Sequence, residues 1–109
     1  MKPINILGQL YNIRKCTEEE FPKLKILNAD GACELYSKEI ILNKVMEESD
    51  PQNFDNFKEY KNKVLRHEIM HAFFHESGLN DYCRDEELVD WLAIQMPKIV
   101  KVMIGHDLI

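Results

Sequence analysis

The residues with the clearest chemical potential lie in VLRHEIMHAFFHESGL, Val64 to Leu79. The stretch holds three of the chain's four histidines, His67, His71 and His75, with Glu68 among them. His67-Glu68-Ile69-Met70-His71 spells H-E-x-x-H. On a helix, residues four apart share a face, so His67 and His71 can present two imidazole nitrogens to one ion. Zinc takes imidazole nitrogen at about 2.0–2.1 Å and favours a tetrahedral site. Glu68 falls about 100° round the helix from His67 and about 60° from His71. That puts it beside the pair, where a general base takes a proton from a metal-activated water.

Chance alone would place H-E-x-x-H in about one chain per hundred of this composition, so context has to decide. Val64, Leu65, Ile69, Met70, Ala72, Phe73 and Phe74 cover most directions of the helix, which predicts a central, buried element. Histidines and a glutamate there need partners, because burying them unpaired is costly. A metal is such a partner. The plainer alternative, a metal-free α+β domain with ordinary core and surface histidines, leaves those partners unnamed.

A catalytic zinc site has three protein ligands and one open position. Candidates for the third lie in DEELVDWLAIQMP: Asp85, Glu86, Glu87 and Asp90. Leu88, Val89, Leu92, Met96, Ile99, Val100 and Met103 share one face of a helix. Glu86 lies about 90° from the centre of that face and Glu87 about 170°, so phase favours Glu86. Asp90, one turn on, either accepts a hydrogen bond from the far nitrogen of a ligand histidine or is a solvated helix aspartate. His75 as a third ligand would put three ligands in a row rather than round an ion. It is read instead as a near-surface histidine at the helix end, where a positive charge is favoured. His106 reads as a surface residue of the tail. Tyr82 and Arg84 are loop residues that could stabilise an oxyanion.

Strands must come first to position these groups. Ile4 to Lys15 is β-rich; Ala32 to Tyr36 and Glu39 to Asn43 read as a hairpin joined at Ser37-Lys38. Thr17 and Glu20 form a capping box, but Pro22 limits residues 16–28 to a turn or one helical loop. Asp30-Gly31 is a turn signal, and the polar stretch 47–54 with its proline is a loop. A long helix is expected from about Asp55 to Glu76, ended by Gly78. Asn80 to Arg84 is a connection. A second helix is expected from about Asp85 to Ile104, kinked or restarted at Met96-Pro97. The order predicts one α+β domain over residues 1–109, a small N-terminal sheet packed on the H-E-x-x-H helix and a second helix.

The 109 residues carry a net charge of −5, with 45% hydrophobic and 30% charged residues. No dense basic stripe exists, which argues against nucleic acid as a partner. Lys58, Lys61, Lys63 and Arg66, interleaved with Glu59, read as a solvated helix face. The opening MKPINILGQL has no long apolar region of a secretory leader. No apolar run approaches the roughly 18–20 residues of a membrane span. Cys16, Cys33 and Cys83 form no C-x-x-C pair, so reduced thiols in a cytoplasmic protein are expected.

At these residues the chain resembles the zincin metallopeptidases, and its shortness resembles the minimal gluzincins of the ImmA/IrrE family and related small phage or mobile-element proteins. Those show H-E-x-x-H-A-h-h-H (h apolar) and then E-x-x-A-[DN]-x-F-A. Here His67 to His75 and Glu86 to Ala93 stand in those places, with Val89 and Leu92 departing from Ala and Phe. The match covers about Leu65 to Pro97. The resemblance implies zinc on His67, His71 and Glu86, with Glu68 as catalytic base and a peptide or protein as substrate. It also implies a sheet edge along the substrate cleft, for which Ile40 to Asn43 is the natural candidate. The competing expectation is a zincin fold that holds zinc without turnover and acts through protein–protein contacts.

Overall fold

The β-rich opening segment breaks at Leu7-Gly8. Both residues have positive φ, 51° and 93°, as a tight hairpin turn between twisted strands requires. The amide of Gly8 donates to Asn5 Oδ1 at 2.8 Å. The computed structural model describes residues 1–48 and 56–109. In chain order its elements are β1 (Ile4–Ile6), β2 (Gln9–Cys16), α1 (Lys23–Ile26), β3 (Gly31–Glu34), β4 (Glu39–Asn43), α2 (Val45–Glu48), α3 (Phe57–Glu76), α4 (Asn80–Cys83) and α5 (Glu86–Gly105). The expected α+β order is present. Of the loop expected over 47–54, the first two residues close α2 and the remainder lies outside the described residues, as does Asp55. The connection expected at Asn80–Arg84 contains the one-turn helix α4.

The sheet runs β1-β2-β4-β3. β1 is antiparallel to β2, β2 parallel to β4, and β3 antiparallel to β4. The expectation that Ile40 to Asn43 forms the edge is therefore wrong: β4 is an interior strand, and the edges are β1 and β3. Ile40, Ile41 and Leu42 are consecutive, apolar and fully buried, which suits a strand covered on both faces. β3, with Gly31 and Glu34, is short and less apolar, as edge strands commonly are.

One face of the sheet (Ile6, Tyr11, Ile13, Ile40, Leu42) packs on α3 through Val64 and Ala72, flanked by Leu65, Ile69 and Phe73. The other face gathers Cys16 and Ile41 with Leu24 of α1, Phe21 and Ala32. The capping box forms as expected: the Thr17 amide donates to Glu20 Oε1 at 3.0 Å and the Glu20 amide to Thr17 Oγ1 at 3.1 Å. Glu76, at the end of α3, accepts from Lys38 Nζ at 2.7 Å and Tyr11 Oη at 2.5 Å. These bonds hold its carboxyl below the usual carboxylate range. The expectation of a central, buried α3 holds on one side only: Val64, Glu68 and Ala72 are buried, and its other apolar residues are half-buried. A four-stranded sheet covers one side of a 20-residue helix and leaves the rest to α4, α5 and solvent.

α5 is one unbroken helix with Pro97 inside it, which corrects the expected restart. Proline has no N–H to offer the carbonyl four residues back, here that of Ala93. That carbonyl accepts instead from Arg66 Nε of α3 at 2.7 Å. Arg66 also pairs with Glu59 at 2.9 Å, and Lys63 pairs with Asp90 at 2.9 Å. Lys63 and Arg66 thus tie α3 to α5 rather than decorating a solvated face. α5 sits on α3 through Val89 and Ala93, about 50° round from the centre of its expected apolar face and toward Glu86. No helix among the described residues is long and apolar enough to cross a membrane.

If proline leaves the carbonyl that arginine fills, the two must be coupled. Arg66→Met should cost about 1–3 kcal/mol in urea unfolding by leaving a half-buried carbonyl unpaired. In a Pro97→Ala background, where a backbone N–H serves that carbonyl, the same change should cost clearly less. Equal costs in both backgrounds would mean the Ala93 carbonyl has no need of Arg66.

Candidate metal centre

The site is built where the middle of α3 meets the first turn of α5. α5 starts at Asp85, whose side chain accepts from the Leu88 amide at 3.0 Å, an N-cap that fixes where the first turn begins. Glu86 is then the first helical residue, aimed at α3. Its Oε2 lies 2.9 Å from His67 Nε2 and its Oε1 3.0 Å from His71 Nε2. The two Nε2 atoms are 3.2 Å apart. For bonds of about 2.0–2.1 Å, the edge of a tetrahedral zinc site is about 3.3–3.4 Å, so these spacings fall only a few tenths of an ångström short.

The other face of each ring decides what the Nε2 atoms carry. His71 Nδ1 lies 2.6 Å from the Cys83 carbonyl, which can only accept, so that nitrogen bears the proton. His67 Nδ1 lies 3.1 Å from Asp90 Oδ1, again an acceptor. In neutral rings both Nε2 atoms therefore present lone pairs. With the two Glu86 oxygens, four electron-pair donors converge and none can donate a proton to another. A proton joins two such atoms; a metal cation joins them all. His67, His71 and Glu86 together can hold a metal ion.

Asp90 takes the orienting role rather than that of a solvated aspartate. Lys63, then His67, hold its carboxyl below the usual range. His75 stands apart from the cluster, its ring edge-on to Tyr36 with centroids 5.6 Å apart. Glu87 is exposed and not in the cluster. Tyr82 is exposed and tilted against Phe74. Arg84 lines the cleft and makes a 3.6 Å ion-pair contact with Asp81.

Glu68, one residue after His67, is 6% exposed and opens on a cleft of roughly 650 Å³ that also takes in Gly31, Cys33, Tyr60, His67, His71 and Glu86. Burial pushes its carboxyl up to about 7, with the Glu86 charge adding to the rise and His67 opposing it. A carboxyl poised there exchanges protons near neutral pH. Across the cleft Tyr60 donates to Asp30, and burial together with that carboxylate pushes the phenol up to about 12. Burial also raises the Cys33 thiol well above its ordinary range, so it is a poor nucleophile. All three cysteines are free thiols.

Three participants escape sequence reasoning. The Cys83 carbonyl is a backbone atom with no signature. Lys63 looks like any lysine of a charged face. Gly31, read as half of a turn signal, lies in β3, and a Cβ there would meet Val64 Cγ1 at 2.9 Å, Glu68 Cγ at 3.2 Å and the Ile41 carbonyl oxygen at 3.3 Å. Its missing side chain lets the edge strand approach the helix at Glu68. A glycine inside a strand is itself a signal of close backbone approach. No family model, curated protein or solved structure matches the chain.

Asp90→Ala should weaken divalent-metal binding about 10–100-fold in competition with a chromogenic chelator, as loss of an orienting carboxylate does. His71→Ala should remove measurable binding. Undiminished affinity in Asp90→Ala would show that the His67 ring holds its position without that carboxylate. Separately, Gly31→Ala should lower stability by about 1–3 kcal/mol through overpacking against Val64 and Glu68, read by urea unfolding. An unchanged midpoint would mean that β3 shifts freely.

Proposed function

We propose that the chain is a zinc-dependent peptidase of the minimal zincin type. The observation that carries the proposal is the buried Glu68 carboxyl beside the convergent His67, His71 and Glu86 donors. Two imidazoles and one carboxylate form a donor set common to hydrolytic zinc sites. Bound there, zinc would supply Lewis acidity toward a carbonyl and an acidified water. Glu68 takes a proton from the attacking water and returns it to the departing amine. Water thereby adds across the peptide C–N bond to give a carboxylate and an amine. His67 and His71 are held in register for this by Asp90 and the Cys83 carbonyl.

An extended peptide fits the free edge of β3, adding a strand by backbone pairing. Gly31 keeps that edge close to Glu68, so a carbonyl of the added strand comes to lie over the cleft. β3, not β4, is the substrate edge in this proposal.

Protein purified without added metal should contain about one zinc per chain. Glu68→Gln should keep the metal and lower peptide hydrolysis by about 10²–10⁴-fold, whereas His71→Ala should lose both. Absence of zinc in the parent protein sinks the proposal. Zinc retained with no hydrolysis across a peptide library would favour a metal-holding protein that acts through contacts with other proteins.

A further inference from the structure

β3 pairs on one side only, with β4. The Asn43 amide of β4 donates to the Asp30 carbonyl at 2.9 Å, and in the register that follows Ala32 lies opposite Ile41 and Cys33 opposite Ile40. Bonding alternates along an antiparallel pair. Ala32 therefore turns its N–H and C=O inward to β4, and Gly31 and Cys33 turn theirs outward to the cleft. The side chains alternate too. Gly31 lies over Val64 and Glu68 of α3, and Cys33 packs on that same face. Ala32 points the other way, to the side of the sheet held by Leu24 of α1.

That second side is not filled up to the edge. Leu27, which caps the end of α1, lines the cleft together with Ala29 and Ala32, and it is 63% exposed. The two alanines make a floor and the leucine a wall. Lys23 and Glu34 border this recess, paired at 2.8 Å, so neither charge is left to attract an opposite one. A leucine exposed beside two small residues gains by being covered with apolar surface.

We infer that this recess selects the substrate: it takes an apolar side chain of about leucine size from the residue whose carbonyl is cut. This rests on the peptidase reading above, with β3 as the substrate edge. The pleat supplies the register. An extended peptide added antiparallel, the more stable pairing, bonds through its residues opposite Gly31 and Cys33. The residue between them, opposite Ala32, points its own C=O and N–H away from β3. A carbonyl bonded to β3 is turned from Glu68 and from the His67, His71 and Glu86 donors. One that points away crosses the cleft to them. The carbonyl to be cut therefore belongs to the residue opposite Ala32. Its side chain shares the face of Ala32 and meets Leu27. The side chains before and after it face α3, where Tyr60, Lys63 and Asp90 line the cleft, and they can be polar. The substrate class is an extended segment with an apolar residue immediately before the cut bond and polar residues on either side.

The test uses zinc-loaded protein and pairs of short polar peptides that differ only in carrying one leucine or one aspartate. Mass spectrometry of the products should place the cut directly after the leucine, and the leucine peptide should exceed its aspartate twin by about 10–100-fold in kcat/KM. Leu27→Arg, at an exposed position, should leave the zinc content and the urea midpoint unchanged. It should lower kcat/KM for the leucine peptide about 10-fold and reverse the preference between the twins. Binding is read separately in Glu68→Gln protein, where the methyl resonances of Leu27, Ala29 and Ala32 should move on adding the leucine peptide and stay in place with its twin. Cleavage indifferent to the leucine, a preference unmoved by Leu27→Arg, or methyl resonances that never move overturns the recess. A cut one residue away from the leucine overturns the antiparallel register. Methyl shifts without hydrolysis in the parent protein support the recess and count against the peptidase activity instead.

Discussion

The chemistry of this fold depends on four electron-pair donors forced to one point. His67 Nε2, His71 Nε2 and both Glu86 oxygens lie about 3 Å apart, and the outer nitrogens of both rings are committed to acceptors. Lone pairs at that separation repel unless positive charge sits among them. The surrounding structure is arranged to hold them there. The sheet presses α3 from one side, α4 brings the Cys83 carbonyl to His71, and Arg66 and Lys63 pin α5 at Ala93 and Asp90.

That requirement explains why α5 lies where it does. Hydrophobic burial alone would turn the centre of its apolar face, around Leu92 and Met96, into the core. The helix instead settles on Val89 and Ala93, which brings Glu86 and Asp90 to the histidines and leaves Leu92 and Ile99 half covered. The helix stays continuous through Pro97 because the carbonyl that proline orphans has a guanidinium waiting for it. Functional geometry and apolar packing differ here by about half a helical turn's quarter, roughly 50°, and geometry prevails.

Much of the site was legible in the sequence, because helical spacing converts directly into angle. His67 with His71, and Glu86 in preference to Glu87, follow from the 3.6-residue period, and the cluster contains those three. Asp90 was open between two roles that periodicity treats alike; its bond to His67 separates them. What could not be read depends on tertiary placement. Strand order is one case: Ile40 to Asn43 is a natural candidate for the edge that the resemblance implies only because nothing local tells which neighbours a strand will acquire, although the consecutive apolar Ile40, Ile41 and Leu42 hint at two covered faces. The roles of Arg66 and the Cys83 carbonyl are others, since each answers a group far away in the chain. Gly31 was visible but misattributed. It sits where space is short rather than where φ is positive.

Cys83, Glu86 and Asp90 span eight residues of chain, yet they supply a carbonyl to the His71 ring, a carboxylate to the donor cluster and a carboxylate to the His67 ring. All three ride on the α4–α5 segment, and both histidines ride on α3. A tilt of one segment against the other would therefore withdraw the Glu86 carboxylate and both ring supports together rather than one at a time. A metal held by His67, His71 and Glu86 would thus be coupled to the docking of α5, and anything that loosened one would loosen the other by the same free energy.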